Sequence, residues 1–167
     1  MVRQHDTPGL PAPEARPAAR RRLVLAVADG LPSAVAAERL VAAWLERWPG
    51  RPVTLVQVSA RLYAGLVEHL RPRLLKLAAF PGPFPGFRER IRAGLDDGGT
   101  LVAGGRTLAD GSVEPTLFLN LDPAARLLQD AAPSGPLLAV LRSEDGDLPA
   151  PGPAHLVLRL DPDPQDD

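Results

Sequence analysis

The sequence predicts an α/β fold, a single three-layer domain built on a mostly parallel sheet. Three observations carry this. Short, continuous apolar runs recur along the chain, as strands buried on both faces require. Segments with apolar residues at helical spacing lie between them. The two kinds alternate, which is the order βαβ units produce. The chain has 167 residues and no cysteine. That length suits one domain and is enough to bury a core without disulfide staples.

Leu23 to Ala28 is the first apolar run, closed by Asp29-Gly30. Ser33 is expected to cap a helix running to about Arg47, with Pro32 just outside it. That helix is apolar almost all round, through Val35, Leu40, Val41, Ala42, Ala43, Trp44 and Leu45, which implies burial on two sides. Pro49-Gly50 stops it. A second strand is expected over Val53 to Val58. Ser59 then caps a helix from Ala60 to about Leu77, whose stripe is Leu62, Leu66, Leu70, Leu74 and Leu77. Pro72 is expected to kink or split that helix, because proline removes a backbone donor and clashes with the preceding turn. After the Pro81–Gly86 loop comes a helix from Phe87 to Leu95, ended by Gly98-Gly99. Strands follow at Thr100–Ala103 and Val113–Leu119, then a short helix at Asp122–Leu128 and a strand at Leu137–Leu141. Ser143 to Pro153 reads as a loop, and His155 to Leu160 as a last strand. The organisation is therefore a Pro- and Arg-rich flexible tail over residues 1–20, one α/β domain over 21–160, and a frayed acidic tail over 161–167.

Composition narrows the functional classes. Hydrophobic residues make up 45% of the chain, as in a globular protein, and the formal net charge is −1. No global field draws nucleic acid or an anionic membrane, so neither is an expected partner. The tail lacks the apolar run of a targeting peptide, no stretch is long enough to span a bilayer, and the cytoplasm is the expected location. With no thiol, cysteine catalysis and thiolate metal sites are excluded. The three histidines, His5, His69 and His155, have no ligand spacing, so no metal is expected. Arg20-Arg21-Arg22 reads as a solvated lead-in to the first strand rather than a phosphate site.

Residues Gly111-Ser112-Val113-Glu114-Pro115-Thr116-Leu117-Phe118, then Asp122-Pro123-Ala124-Ala125-Arg126, then Gly135-Pro136 carry a specific pattern. This segment resembles the late catalytic-domain segment of the aldehyde dehydrogenase superfamily. There a glycine precedes a Val-Glu-Pro-Thr-Leu-Phe strand, an Asp-Pro-x-x-Arg turn-helix follows, and Gly-Pro opens the next strand. From this anchor, Phe87 to Gly105 resembles the family's helix and strand ending in Gly-Gly. Thr54 to Val67 resembles the strand and helix after its nucleophile, and Leu23 to Trp48 the strand and helix before it. The resemblance covers residues 23 to about 145 and implies the catalytic-domain fold. It also implies a structural rather than chemical role for Gly111, Glu114, Pro115, Thr116, Phe118, Gly135 and Pro136.

The departures from the family pattern bear on function. The family's Gly-Gln-x-Cys loop is replaced by Trp48-Pro49-Gly50-Arg51-Pro52. Its Glu-Ile-Phe-Gly-Pro motif, whose carboxylate holds a cofactor ribose, is replaced by Ala132-Pro133-Ser134-Gly135-Pro136. No GxGxxG loop follows a strand, and Gly104-Gly105 reads as a turn. The dinucleotide-binding half and the late oligomerisation region are not recognisable. No catalytic residue, cofactor or metal is therefore expected. Ser134 as a nucleophile and Arg51 as an acid binder are the weaker readings beside strand-end and loop roles.

The expected function is a non-catalytic binding or assembly module that forms a homodimer or joins a larger protein partner. The family's helix before the nucleophile lies at a dimer interface, so Leu40, Trp44 and Trp48 are the candidate interface residues. The alternatives are one half of a split NAD(P)-dependent aldehyde dehydrogenase, and a small-molecule or acyl-group binder.

Overall fold

The computed structural model describes residues 20–144 and 155–163. The expected tail over residues 1–19, most of the Ser143–Pro153 loop and the end of the acidic tail lie outside them. Among the described residues six strands form one sheet. They are β1 (Arg22–Val27), β2 (Thr54–Ser59), β3 (Thr100–Ala103), β4 (Thr116–Leu119), β5 (Leu137–Ser143) and β6 (His155–Leu160). Their order is β3-β4-β5-β2-β1-β6. Only the β3–β4 pairing is antiparallel; β4–β5, β5–β2, β2–β1 and β1–β6 are parallel. The expected mostly parallel α/β architecture is what the chain adopts.

Among the described residues four helices cover the sheet, α1 (Ser33–Arg47), α2 (Ala60–Leu75), α3 (Phe87–Asp96) and α4 (Arg126–Gln129). Because strand side chains alternate between faces, two cores form. On one face Leu23, Leu25, Val56, Val58, Leu138 and Val140 meet the buried stripes of α1 and α2. On the other face Val24, Leu55, Phe118, Leu137 and Ala139 meet Phe87 and Ile91 of α3 and Leu127 and Leu128 of α4. The three layers are thus helices, sheet, helices.

Local chemistry moves several boundaries. Pro32, not Ser33, occupies the N-cap of α1, and its carbonyl accepts the Ala36 N–H at 2.9 Å. Ser59 does sit at the N-cap of α2 but makes no capping bond; its hydroxyl donates to Asp29 Oδ1 at 2.6 Å instead. Pro72 does not split α2, which continues past it to Leu75. Near the helix end few turns remain to be disrupted, so the missing donor is tolerated. The strand expected from Val113 begins only at Thr116. Val113 instead bridges Phe80 and Thr107 in isolated pairs, and Pro115 has no N–H to extend the ladder. The expected Asp122–Leu128 helix shrinks to Arg126–Gln129, because the Asp122 carboxylate accepts the Ala124 N–H at 2.8 Å and makes a turn there.

Candidate functional site

The loop Trp48–Pro52, where the resemblance places a nucleophile, is filled and tied down. Trp48 is 7% exposed. Its ring meets Phe80 edge-on at 5.2 Å, Phe84 at 5.9 Å and Trp44 at 6.1 Å. Arg51 acts as a backbone clamp: its Nε donates to Arg47 O and its Nη1 to Arg21 O, both at 2.8 Å. The Arg51 carbonyl accepts the Ser134 N–H at 3.1 Å. Burial, and then the neighbouring Arg20 and Arg21, push the Arg51 pKa down. Ser134 is 1% exposed, and its hydroxyl donates to Gly135 O at 3.1 Å. No base stands beside it in the hydrogen-bond network, so it lacks the activated geometry a serine nucleophile needs.

The expected interface residues lie in the interior. Leu40 and Trp44 are both 0% exposed, and with Trp48 they belong to the core between the sheet, α1 and α2. The burial expected on two sides of α1 is confined to one face, Ala36, Ala37, Leu40, Ala43 and Trp44, and Glu38, Ala42 and Glu46 are exposed. Trp44 cannot lie at a dimer axis without unfolding its surroundings, and this corrects the assignment of all three residues to an interface.

The Gly111–Phe118 segment is held by a network of its own. Gly111 takes φ +83° in a turn where its N–H donates to Leu108 O at 3.0 Å. The Asp110 carboxylate accepts both the Ser112 N–H and the Ser112 hydroxyl, which holds it below the usual carboxylate range. Glu114 receives a two-pronged bond from Arg106, at 2.7 and 3.1 Å, which lowers its pKa. The Thr116 hydroxyl donates to Glu114 O at 2.9 Å and accepts the Gly105 N–H at 2.8 Å. Gly104 has φ +71°, and a Cβ there would collide with Pro115 O and press on Thr116 Oγ1. A side chain at Gly104 would push the Gly-Gly turn off the strand that the motif opens. Pro136 O accepts the Thr116 N–H at 2.9 Å, so Gly135-Pro136 is stitched to β4. Phe118 is fully buried against Gly94 and its neighbours in the second core.

The space open to a ligand lies elsewhere. The connection β1-α1-β2 runs over one face, while β4-α4-β5 runs over the other. The strand order therefore reverses between β2 and β5, and open α/β sheets have crevices at such switch points. On the α4 face this half of the sheet is only partly covered. A groove of about 280 Å³ lies there, lined by Arg22, Val24, Leu55, Gln57, Leu141 and Val157 among others. Strand register sets its layout. Val24 is opposite both Leu55 and Val157, making an apolar row; Gln57 is opposite Ala26 and Leu141, two residues further along. A shallower depression adjoins it at the carboxyl ends of the strands, lined by Tyr63, Asn120, Asp122 and Arg142 and sharing Pro123 and Leu141. Burial pushes the Tyr63 hydroxyl pKa up, with Arg142 opposing.

Two groove residues have unusual partners. Arg22 is 8% exposed, and its Nη2 donates to the Asp130 carbonyl at 2.8 Å. The Asp130 carboxylate is engaged by Arg90 Nε at 3.1 Å and by the Ala132 N–H at 2.9 Å. Burial lowers the Arg22 pKa, and Asp130 partly offsets that. Gln57 is 6% exposed, yet its amide makes no hydrogen bond to any described residue. Sequence reasoning singled out neither residue as a site. The available signal was Gln57 itself, a lone polar residue inside the apolar run Leu55-Val56-Gln57-Val58. Of the other candidates, His155 opens β6 at the rim of the groove, His69 lies on α2, and His5 is outside the described residues. Among the described residues no His/Asp/Glu group has the arrangement to hold a metal, and no helix is long and apolar enough to cross a membrane.

No protein-family model matches the sequence, and no curated protein matches it either. Solved structures do. 1-Pyrroline-5-carboxylate dehydrogenase from Thermus, with bound NAD, superposes with a TM-score of 0.63 at 23% identity, over 75% of this chain and 27% of that one. Succinate-semialdehyde dehydrogenase from Burkholderia pseudomallei gives a TM-score of 0.62 at 19% identity, over 75% and 30%. Lactaldehyde dehydrogenase from Escherichia coli gives 0.62 at 13%, over 75% and 30%. The chain thus spans about three-tenths of the length of the structures it matches. In fold, it is an aldehyde-dehydrogenase-like fragment of the α/β catalytic-domain type.

Proposed function

We propose that this chain is a non-catalytic, aldehyde-dehydrogenase-like module of the cytoplasm that works by binding, through self-association or a larger protein partner. The observation that carries the reading is the filled loop at Trp48–Pro52. Where the resemblance calls for a thiolate, the chain has a buried tryptophan and a clamped arginine. A covalent mechanism loses its chemistry outright when the nucleophile is gone. Ala132 replaces the carboxylate that would hold a ribose, so NAD is not an expected ligand. The apolar, half-covered sheet face at β1, β2 and β6 supports a binding role, because exposed apolar surface of this kind marks interaction sites.

The test is direct. Purified full-length chain with NAD and a panel of aldehydes is expected to yield no NADH, and light scattering is expected to show a dimer or a larger assembly. Steady NADH production would overturn the non-catalytic reading. A strict monomer at high concentration that also recruits no partner would overturn the assembly reading. A second reading, one half of a split dehydrogenase, draws support from the chain's matching only about three-tenths of each full-length structure. It requires that a second chain restore NADH production on mixing.

A further inference from the structure

We propose that the groove between Arg22 and Gln57 binds a medium-chain monocarboxylate that carries an uncharged hydrogen-bonding group at its far end. This deepens the binding-module reading and rests on it.

The cationic end comes first. Arg22 is 8% exposed and lines the groove. Its guanidinium has five donors, of which one is spent on the Asp130 carbonyl. The nearby Asp130 carboxylate is already engaged by Arg90 and the Ala132 N–H. Among the described residues no carboxylate lies within ion-pair distance of Arg22. Buried charges are ordinarily paired, because desolvating a lone ion is expensive. A planar guanidinium with unused donors matches a carboxylate in shape and sign.

The far end is neutral. The Gln57 amide, 6% exposed, has two donors and an acceptor and no protein partner among the described residues. The amide is not among the buried side-chain atoms that lack a partner; it opens on the groove it lines, where a polar group of a ligand can reach it. The neutral amide pairs with a hydroxyl, carbonyl or amide, and with its acceptor and donors both in play it does not demand a charge.

Between the two ends the floor is apolar. Val157, Val24 and Leu55 form one row across β6, β1 and β2. Leu141 flanks Gln57. Arg22 lies four residues before Ala26, the register partner of Gln57. At about 3.3 Å per residue the two polar ends are roughly 13 Å apart along the strands, less the reach of both side chains. That span fits a chain of medium length and is too long for a short acid to bridge. The volume, about 280 Å³, is at the small end of the range for ligand pockets.

The test titrates full-length protein calorimetrically with ω-hydroxyoctanoate, octanoate and octylamine. Octanoate should bind at least tenfold more tightly than octylamine, and ω-hydroxyoctanoate more tightly than octanoate. Arg22→Gln should weaken both acids tenfold or more. Gln57→Leu should erase the preference for ω-hydroxyoctanoate while octanoate still binds. Val157→Phe fills the groove from the edge strand without touching either polar end, and should abolish binding of both acids even where Arg22→Gln fails to fold. Equal affinity for octanoate and octylamine would overturn the proposal, as would unchanged binding in Val157→Phe. Absence of heat with every probe at millimolar concentration would also overturn it. The light-scattering result is independent of all these titrations, so a failed ligand leaves the assembly reading to be judged separately.

Discussion

The two faces of the sheet contrast in how completely they are closed. On the α1/α2 face, Leu23, Leu25, Val56 and Val58 meet two long helices, and Trp44, Trp48, Phe80 and Phe84 pack ring against ring at the helix end. Among its buried side-chain polar atoms, Trp44 Nε1 and Arg73 Nε lack a partner within the described residues. On the α3/α4 face the helices are short. Closure is complete over β4 and the start of β5, but from Leu141 across β2, β1 and β6 the sheet is left grooved, with the Arg22 guanidinium and the Gln57 amide lining the gap. The closed face contains the loop where chemistry would be expected and has made it into core. The open face presents a guanidinium and an amide to a groove. Stability is concentrated on one side of the sheet and the proposed binding capacity on the other; two substitutions can break or sharpen this contrast, and an acid titration probes the rim outside it.

The largest effect should be on the closed face. Trp44→Ala removes a fully buried ring and leaves a cavity, which typically costs about 3–5 kcal/mol. Urea denaturation should show this loss in full. If the mutant instead keeps its stability and only changes oligomeric state, α1 is an interface after all and the contrast between faces is wrong.

A much smaller effect on stability is expected on the open face. Gln57→Leu replaces a groove-facing amide with an aliphatic group of similar size, and should change the stability of the free protein by no more than about 0.5 kcal/mol. The same change weakens the proposed ligand preference, so binding and stability should separate in this variant. A loss of stability in the mutant would mean that Gln57 has a partner and the groove is not a vacant polar site.

The smallest effect is in the acid limb, and it belongs to neither face. Asp97 accepts hydrogen bonds from the Arg126 side chain and backbone, and these hold it below its ordinary value. Glu114 is lowered by Arg106, and Asp110 by Ser112. A carboxylate whose folded pKa is depressed adds stability that is fully present above its unfolded pKa, about 4. That stability is lost as pH falls through the lower folded value. Thermal melts should therefore be flat near neutrality and decline below about pH 4. Asp97→Asn should make that decline shallower while changing neutral-pH stability little, because the pair is exposed and such pairs are weak. An unchanged acid limb would remove Asp97 as a contributor.

Much of the architecture was legible from local pattern. The strand at Thr100–Ala103 and the last strand at His155–Leu160 coincide with their expected bounds, and α1 ends at Arg47 as expected but starts one residue early, because hydrophobic period and Gly/Pro punctuation are encoded in neighbouring residues. The Val113 strand and the Asp122 helix were overextended. There the deciding interactions are an isolated bridge to Phe80 and a side-chain turn at Asp122, which compete with regular structure without altering its apolar pattern. The candidate site was less legible. Gln57 is conspicuous only as a polar residue in an apolar strand, and nothing in its neighbours says which face it takes or what stands across from it.

By itself the sequence determined the alternation of strands and helices, the absence of any thiol, the turn at Gly104-Gly105, and the fact that α1 carries a broad apolar face. Only the tertiary structure decided what buries it. Periodicity reports that a surface is apolar, and an apolar surface packs equally well on its own sheet or on a second copy. Here α1 is satisfied by the sheet, α2 and the Phe80–Phe84 loop. The meeting of Arg22 and Gln57 across an apolar row is likewise a tertiary result. It depends on parallel register between β1, β2 and β6, strands that lie up to about 130 residues apart in the chain, and such non-local pairing is set by the assembled core rather than by any short stretch of sequence.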